Sequence, residues 1–153
     1  MQYLFLVLVY AFLVFLDQFT KSFMYNISNA QIGYSIPILG DFFKLTYIEN
    51  HGGVFGMFQG HIVVFTIIST ILITYIIYTE WKNFLKSDFI KKIAIIFIAA
   101  GATGNMIDRF FRGFVIDMID FRGIWQFIFN VADIYIHIGI YMLILIYLFK
   151  KEK

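Results

Sequence analysis

The sequence predicts an α-helical membrane protein of four transmembrane helices, with a small extracytoplasmic β-sheet between helices 1 and 2. Three observations carry that prediction. Hydrophobic residues make up 61% of the 153-residue chain and charged residues only 14%, against about 25% charged in a soluble domain. Apolar spans recur at about residues 3–24, 61–80, 91–107 and 130–149. The stretch from 26 to 60 instead mixes Ser, Asn, Gly and the single proline, Pro37, with apolar pieces too short for helices. The length suits one domain over 1–153.

Taken in order, Tyr3–Leu16 falls short of the roughly 20 residues that cross a ~30 Å core. The first helix must therefore continue through Asp17 to about Met24. This segment lacks a basic leader and a small-residue cleavage site, so it is expected to be retained. Ile32–Leu39 and Phe42–Ile48 have strand length. A short helix or turn is expected over Val54–Gln59, leading into Ile62–Thr79, which carries no charge. The third span stops at Asp108-Arg109. The fourth, Ile134–Phe149, follows Phe129–Asp133 and is interrupted only by His137.

Lysines orient the spans. Lys82, Lys86, Lys91 and Lys92 lie between spans two and three, and Lys150, Lys151 and Lys153 end the chain. Met24–His61 holds only Lys44. The positive-inside rule then puts both termini in the cytoplasm. Arg109, Arg112 and Arg122 run against the rule, but acids stand beside them. This topology gathers Asp17, Lys21, Asn50–Gly56, Asn105, Asp108, Asn130 and Asp133 at the outer face.

Several chemistries are excluded. Without cysteine there is no thiol catalysis and no Cys-type metal site. His51, His61 and His137 share no ligand spacing, so neither a metal nor another cofactor is expected. A net charge of +2 gives no nucleic-acid surface. Neither a nucleophile elbow nor a His-Glu-x-x-His motif occurs.

What remains is carboxylates close to hydrocarbon, where each charge costs roughly 2.5–3.5 kcal/mol. Asp117 is flanked by Val115, Ile116, Met118 and Ile119, and Asp133 by Val131, Ala132 and Ile134. Apolar surroundings raise a carboxyl pKa, and two acids that meet can hold one proton between them. One then serves as general base toward water and the other as general acid. Asp120 is the rival member, but Arg122 makes it a salt-bridge partner. Asp108-Arg109 reads as a structural brace, and Asp17 with Lys21 as an ion pair on one helix face.

The motifs in sum are Asp17-Gln18-Phe19-Thr20-Lys21, Asn50-His51-Gly52-Gly53-Val54-Phe55-Gly56, Gly101-Ala102-Thr103-Gly104-Asn105-Met106-Ile107-Asp108-Arg109, Gly113-Phe114-Val115-Ile116-Asp117 and Phe129-Asn130-Val131-Ala132-Asp133. In this order and spacing the chain resembles the bacterial lipoprotein signal peptidases (signal peptidase II). The resemblance implies an inner-membrane aspartic endopeptidase acting on diacylglyceryl-modified prolipoproteins and cutting before the lipidated cysteine. It implies Asp117 and Asp133 as the catalytic pair. Asp17, Lys21, Asn50, Gly52, Gly101, Asn105, Arg109, Asn130 and Ala132 are implied as supporting or substrate-binding residues. Gly53 and Met118 depart from the commoner alanine and phenylalanine. The expected partners are prolipoprotein substrates and membrane lipid, with the enzyme a monomer. Two other readings compete, a small proton-coupled transporter or channel and a non-catalytic assembly module.

Overall fold

The computed structural model describes residues 1–52 and 62–149. The turn expected over Val54–Gln59 lies outside them. The elements run α1 (Gln2–Ile27), β1 (Ser35–Leu39), β2 (Phe43–Asn50), α2 (Ile62–Phe84), α3 (Phe89–Phe111), β3 (Val115–Phe121) and α4 (Val131–Phe149). α1 continues through Asp17 for 26 residues, as its length requirement demanded. α3 runs on past Ile107 to Phe111, because Asp108 and Arg112 find partners on α1 and have no need of a loop. By length and composition α1, α3 and α4 are each able to cross a membrane. Their outward apolar residues, among them Phe12, Phe15, Leu145 and Leu148, are exposed.

α3 is the central helix, packing most extensively on α4 and also on α1 and α2. Small residues permit this, as they do wherever helices must approach without a hydrophobic driving force between them. A Cβ added to Gly101 would collide with the carbonyl oxygen of Ala132 and with Ile136, so α4 comes close enough to touch backbone. One added to Gly104 would meet the carboxylate of Asp17. We expect Gly104→Ala to lose ~1–3 kcal/mol by overpacking, read as a lower thermal midpoint in detergent.

The expected strands form, and a third joins them. The sheet order is β1-β2-β3, antiparallel throughout, and β3 comes from the segment between α3 and α4. Its pairing with β2 runs from Phe43↔Phe121 to Asn50↔Val115 and carries a bulge between Leu45 and Ile48. Tyr47, Ile116 and Met118 point from one face into a cluster with Met24 of α1. Full burial of a large apolar side chain stabilises by ~1.5–3 kcal/mol, so this cluster fixes the sheet to the end of the first helix. Asp117 therefore stands on a sheet anchored to α1, and Asp133 on the first turn of α4.

Candidate active site

The N-terminus of α4 builds the first half of the site. Asn130 caps it: its Oδ1 accepts from the backbone N–H of Asp133 at 3.0 Å, and Asp133 Oδ2 accepts from the backbone N–H of Asn130 at 3.1 Å. This reciprocal pair is a capping box. A carboxylate in the first turn also sits at the positive end of the helix, which favours negative charge. Asn105 of α3 donates from Nδ2 to Asp133 Oδ1 at 2.9 Å. Asp133 is thereby held at three points by two helices.

Asp117 arrives from β3. Asn130 Nδ2 donates to its Oδ1 at 2.7 Å, and Asn50 Nδ2 donates to its Oδ2 at 3.0 Å. Gly52 N–H donates to Asn50 Oδ1 at 3.0 Å, which fixes which end of that amide faces the carboxylate. Asn130 touches both acids, so one side chain couples strand and helix. Burial pushes the Asp117 carboxyl up to about 7, with the charge of Asp133 acting in the same sense and the two amide donors against it.

The sign of the pH response follows. Asp117 keeps its proton up to near neutrality and loses it above about 7. Activity that needs this proton should fall on the alkaline side with an apparent pKa near 7. A pH profile of cleavage rate on folded enzyme checks this.

Beneath the two acids lies a charged network with no exposure. Lys21 Nζ stands 2.9 Å from Asp17 Oδ2, 2.9 Å from Asp108 Oδ2 and 2.9 Å from Asn105 Oδ1. Asn105 Oδ1 also accepts from Asn130 Nδ2 at 3.1 Å. Asp17 Oδ1 in turn accepts from the backbone N–H of Ala132 at 3.0 Å, so α1 supplies a second cap to α4. Lysine's three donors are thus spent on three acceptors, and the chain of contacts ends at Asp117 and Asp133.

The structure brings Asp17, Lys21, Asn50, Gly52, Gly101, Asn105, Asn130 and Ala132 together around the two acids. It revises the Asp108-Arg109 brace. Neighbours on a helix do not face each other, and Asp108 instead pairs with Lys21 and with Arg112, one turn on. Arg109 lies within electrostatic range of Asp133, Asp117 and, less strongly, Asp108. It is half-buried, and among the described residues its Nε has no hydrogen-bond partner. The Asp120–Arg122 pair is present at 2.8 Å. Sequence reasoning set Arg112 among acids without naming Asp108 as its partner; Arg112 also donates to Gln18 Oε1 at 3.0 Å. Its i,i+4 spacing from Asp108 was the readable signal.

Known proteins match this chain along nearly its whole length. The Signal peptidase (SPase) II family profile matches residues 9–149. The lipoprotein signal peptidase of Fusobacterium nucleatum is 45% identical over 153 residues, covering 100% of this chain and 90% of its own length. That of Clostridioides difficile is 37% identical over 147 residues, 96% of this chain and 97% of its own. A bacterial membrane enzyme solved by the in meso method at 2.3 Å superposes with a TM-score of 0.81 at 33% identity, over 97% of this chain and 92% of the other. A second, at 1.9 Å, gives 0.77 at 34% identity over 96% and 94%. With a buried acid on β3 beside a half-buried one on α4, and similarity along nearly its whole length, the chain belongs to the signal peptidase II family of membrane proteases.

Proposed function

We propose that Asp117 and Asp133 are the catalytic pair with which this membrane protease removes signal peptides from diacylglyceryl-modified prolipoproteins, cutting before the lipidated cysteine. The observation that carries the assignment is Asn130, which binds both carboxyl groups while capping the helix that holds one of them. Asp133, at the positive end of α4, is the general base. It takes a proton from water as the oxygen attacks the scissile carbonyl. Asp117 gives its proton to the departing amine as the peptide C–N bond breaks. The two carboxyls exchange roles in proton content, and solvent restores them.

The substrate's two acyl chains hold it in the bilayer, since each buried methylene adds about 0.8 kcal/mol and two chains anchor firmly. The scissile bond then lies level with the outer ends of the helices. In this reading four spans cross the cytoplasmic (inner) membrane, both termini are cytoplasmic, the site opens near the outer face and the enzyme acts as a monomer. The lysine distribution and the gathering of polar residues at one end support it. A proton-conducting pathway requires polar groups distributed through the bilayer, and Ile62–Thr79 carries none that ionises except Tyr75 and Tyr78.

The test is cleavage by purified protein, in a metal chelator, of one prolipoprotein with and without its diacylglyceryl group. We expect the modified form to be cut and the unmodified form to be spared. Equal cutting of both would remove the lipid from the reading, and loss of activity in chelator would remove the metal-free mechanism.

A further inference from the structure

Asp120 is 2% exposed and has no part in the chemistry above. It ends a hydrogen-bonded row across all three strands. Thr46 donates its hydroxyl to Asp120 Oδ2 at 2.7 Å, and Ser35 stands 2.8 Å from the same hydroxyl. Thr46 has one hydroxyl proton and spends it on Asp120, so Ser35 donates to Thr46. Arg122 Nε closes the row on Asp120 Oδ2 at 2.8 Å.

Thr46 occupies the bulge of β2. The register runs Lys44↔Asp120 and Leu45↔Ile119, then resumes at Ile48↔Asp117, Glu49↔Ile116 and Asn50↔Val115. Two residues of β2, Thr46 and Tyr47, therefore oppose the single residue Met118. Cross-strand partners share a face, and side chains alternate along a strand. Lys44 lies on the face of Asp120, and strict alternation from there would put Asn50 on that face too. The extra residue resets the alternation. Thr46 and Tyr47 both point to the face of Asp120, Ile116 and Met118, and Asn50 is delivered to the opposite face with Asp117. Bulges beside active sites re-aim side chains in this way.

We infer that Asp120, acting through Thr46, is a positioning residue for the reaction: the two clamp the bulge that turns Asn50 toward Asp117. Tyr47 supports the same bulge from the backbone, donating its N–H to the carbonyl of Tyr34 at 2.9 Å and accepting from Gly33 N–H at 2.9 Å. The inference rests on Asp117 being the proton donor. Asp117 is faced by Asp133 from α4, Lys21 from α1 and Arg109 from α3, and by the uncharged Asn50 from β2. Asn50 is the donor under the control of the bulge, and it favours the ionised carboxyl. Loosening it favours the protonated form.

The test is the pH profile of cleavage by Thr46→Val, Thr46→Ser, Asn50→Ala and the Thr46→Val/Asn50→Ala double variant. We expect Asn50→Ala to move the alkaline limb upward by roughly 1 pH unit. Thr46→Val moves it in the same direction, Thr46→Ser restores the wild-type profile, and the double variant matches Asn50→Ala alone. If Thr46→Val does not fold, Asp120→Asn weakens the same clamp and should give a smaller shift in the same sense. A uniform loss of rate with the limb unmoved, or additivity in the double variant, overturns the inference. An Asp117→Asn control separates the two ideas. If Asp117→Asn still cleaves, the catalytic assignment fails; if only the limb stays fixed, the clamp alone fails.

Discussion

Asp117→Asn and Asp133→Asn should each lower cleavage of a lipidated prolipoprotein by at least ~10²–10⁴-fold, the contribution of one general acid or base. Neither loss should come from unfolding. An amide at 117 still offers an oxygen to Asn130, and one at 133 still accepts from either Asn105 or the Asn130 N–H. The two variants should differ in stability, and in opposite directions. The folded-state carboxyl of Asp117 is raised from 3.8 to about 7. Between those values the folded state binds this proton more tightly than the unfolded chain does, so the residue reduces stability as pH rises. Asp117→Asn removes that dependence, and its thermal midpoint relative to wild type should be higher at pH 8 than at pH 5. Asp133→Asn loses a charge at the positive end of α4, worth ~0.3–1 kcal/mol, and should melt lower. Rate assays and melts on the same preparations check both statements. Robust cleavage by either variant would sink the pairing.

Replacing Lys21 with methionine should be the most destabilising single change in the chain, at ~3–5 kcal/mol. Size is nearly conserved, so packing is not the cause. Asp17 and Asp108 have no exposure and both face Lys21 Nζ. Asp108 keeps Arg112 after the substitution, but among the described residues Asp17 keeps only Gln18 and the Ala132 N–H as donors. The uncompensated charge then falls mainly on Asp17. Two further expectations separate this account from a loss of shape. Asp17→Asn in the Lys21→Met background should recover part of the stability, giving a coupling energy in the double-mutant cycle. Lys21→Arg should fail to rescue, because a planar fork cannot replace a point charge with three converging acceptors. Thermal unfolding in detergent measures all three. A Lys21→Met midpoint near wild type would place the stability elsewhere.

The helices and first two strands were legible because their signals are local. Apolar length demanded that α1 pass through Asp17, and turn residues bracketed β1 and β2. The burial of Asp117 was legible too, though for the wrong reason. Ile116 and Met118 flank Asp117 in sequence, yet strand alternation turns them to the other face, into the cluster with Met24 and Tyr47. Asp117 is buried by what the fold brings to it: Asn50, Asn130 and the end of α4. The membership of β3 was not legible, since Val115–Phe121 pairs with residues some 70 positions earlier and nothing within it names that partner. The brace at Asp108-Arg109 failed on geometry, because adjacent helical positions diverge by about 100°. Asp108 pairs with Lys21 and Arg112, while Arg109 feels Asp133 and Asp117 more strongly than it feels Asp108. The capping box at Asn130 and Asp133 went unread, although their spacing of three is its signature.

The arrival of β3 from between α3 and α4 also sets an order of assembly. Asn50 and Asp117 are 67 residues apart, and Asp133 lies further still. During synthesis the chain completes α1, the β1–β2 hairpin and α2 while the sheet lacks its third strand and neither Asp117 nor Asp133 has been made. Contacts of such separation form late, after the intervening segments are in place. The site thus assembles only when the chain is nearly finished: Asn50 waits for Asp117, and Asp117 waits for the Asn130 cap at the start of the last helix.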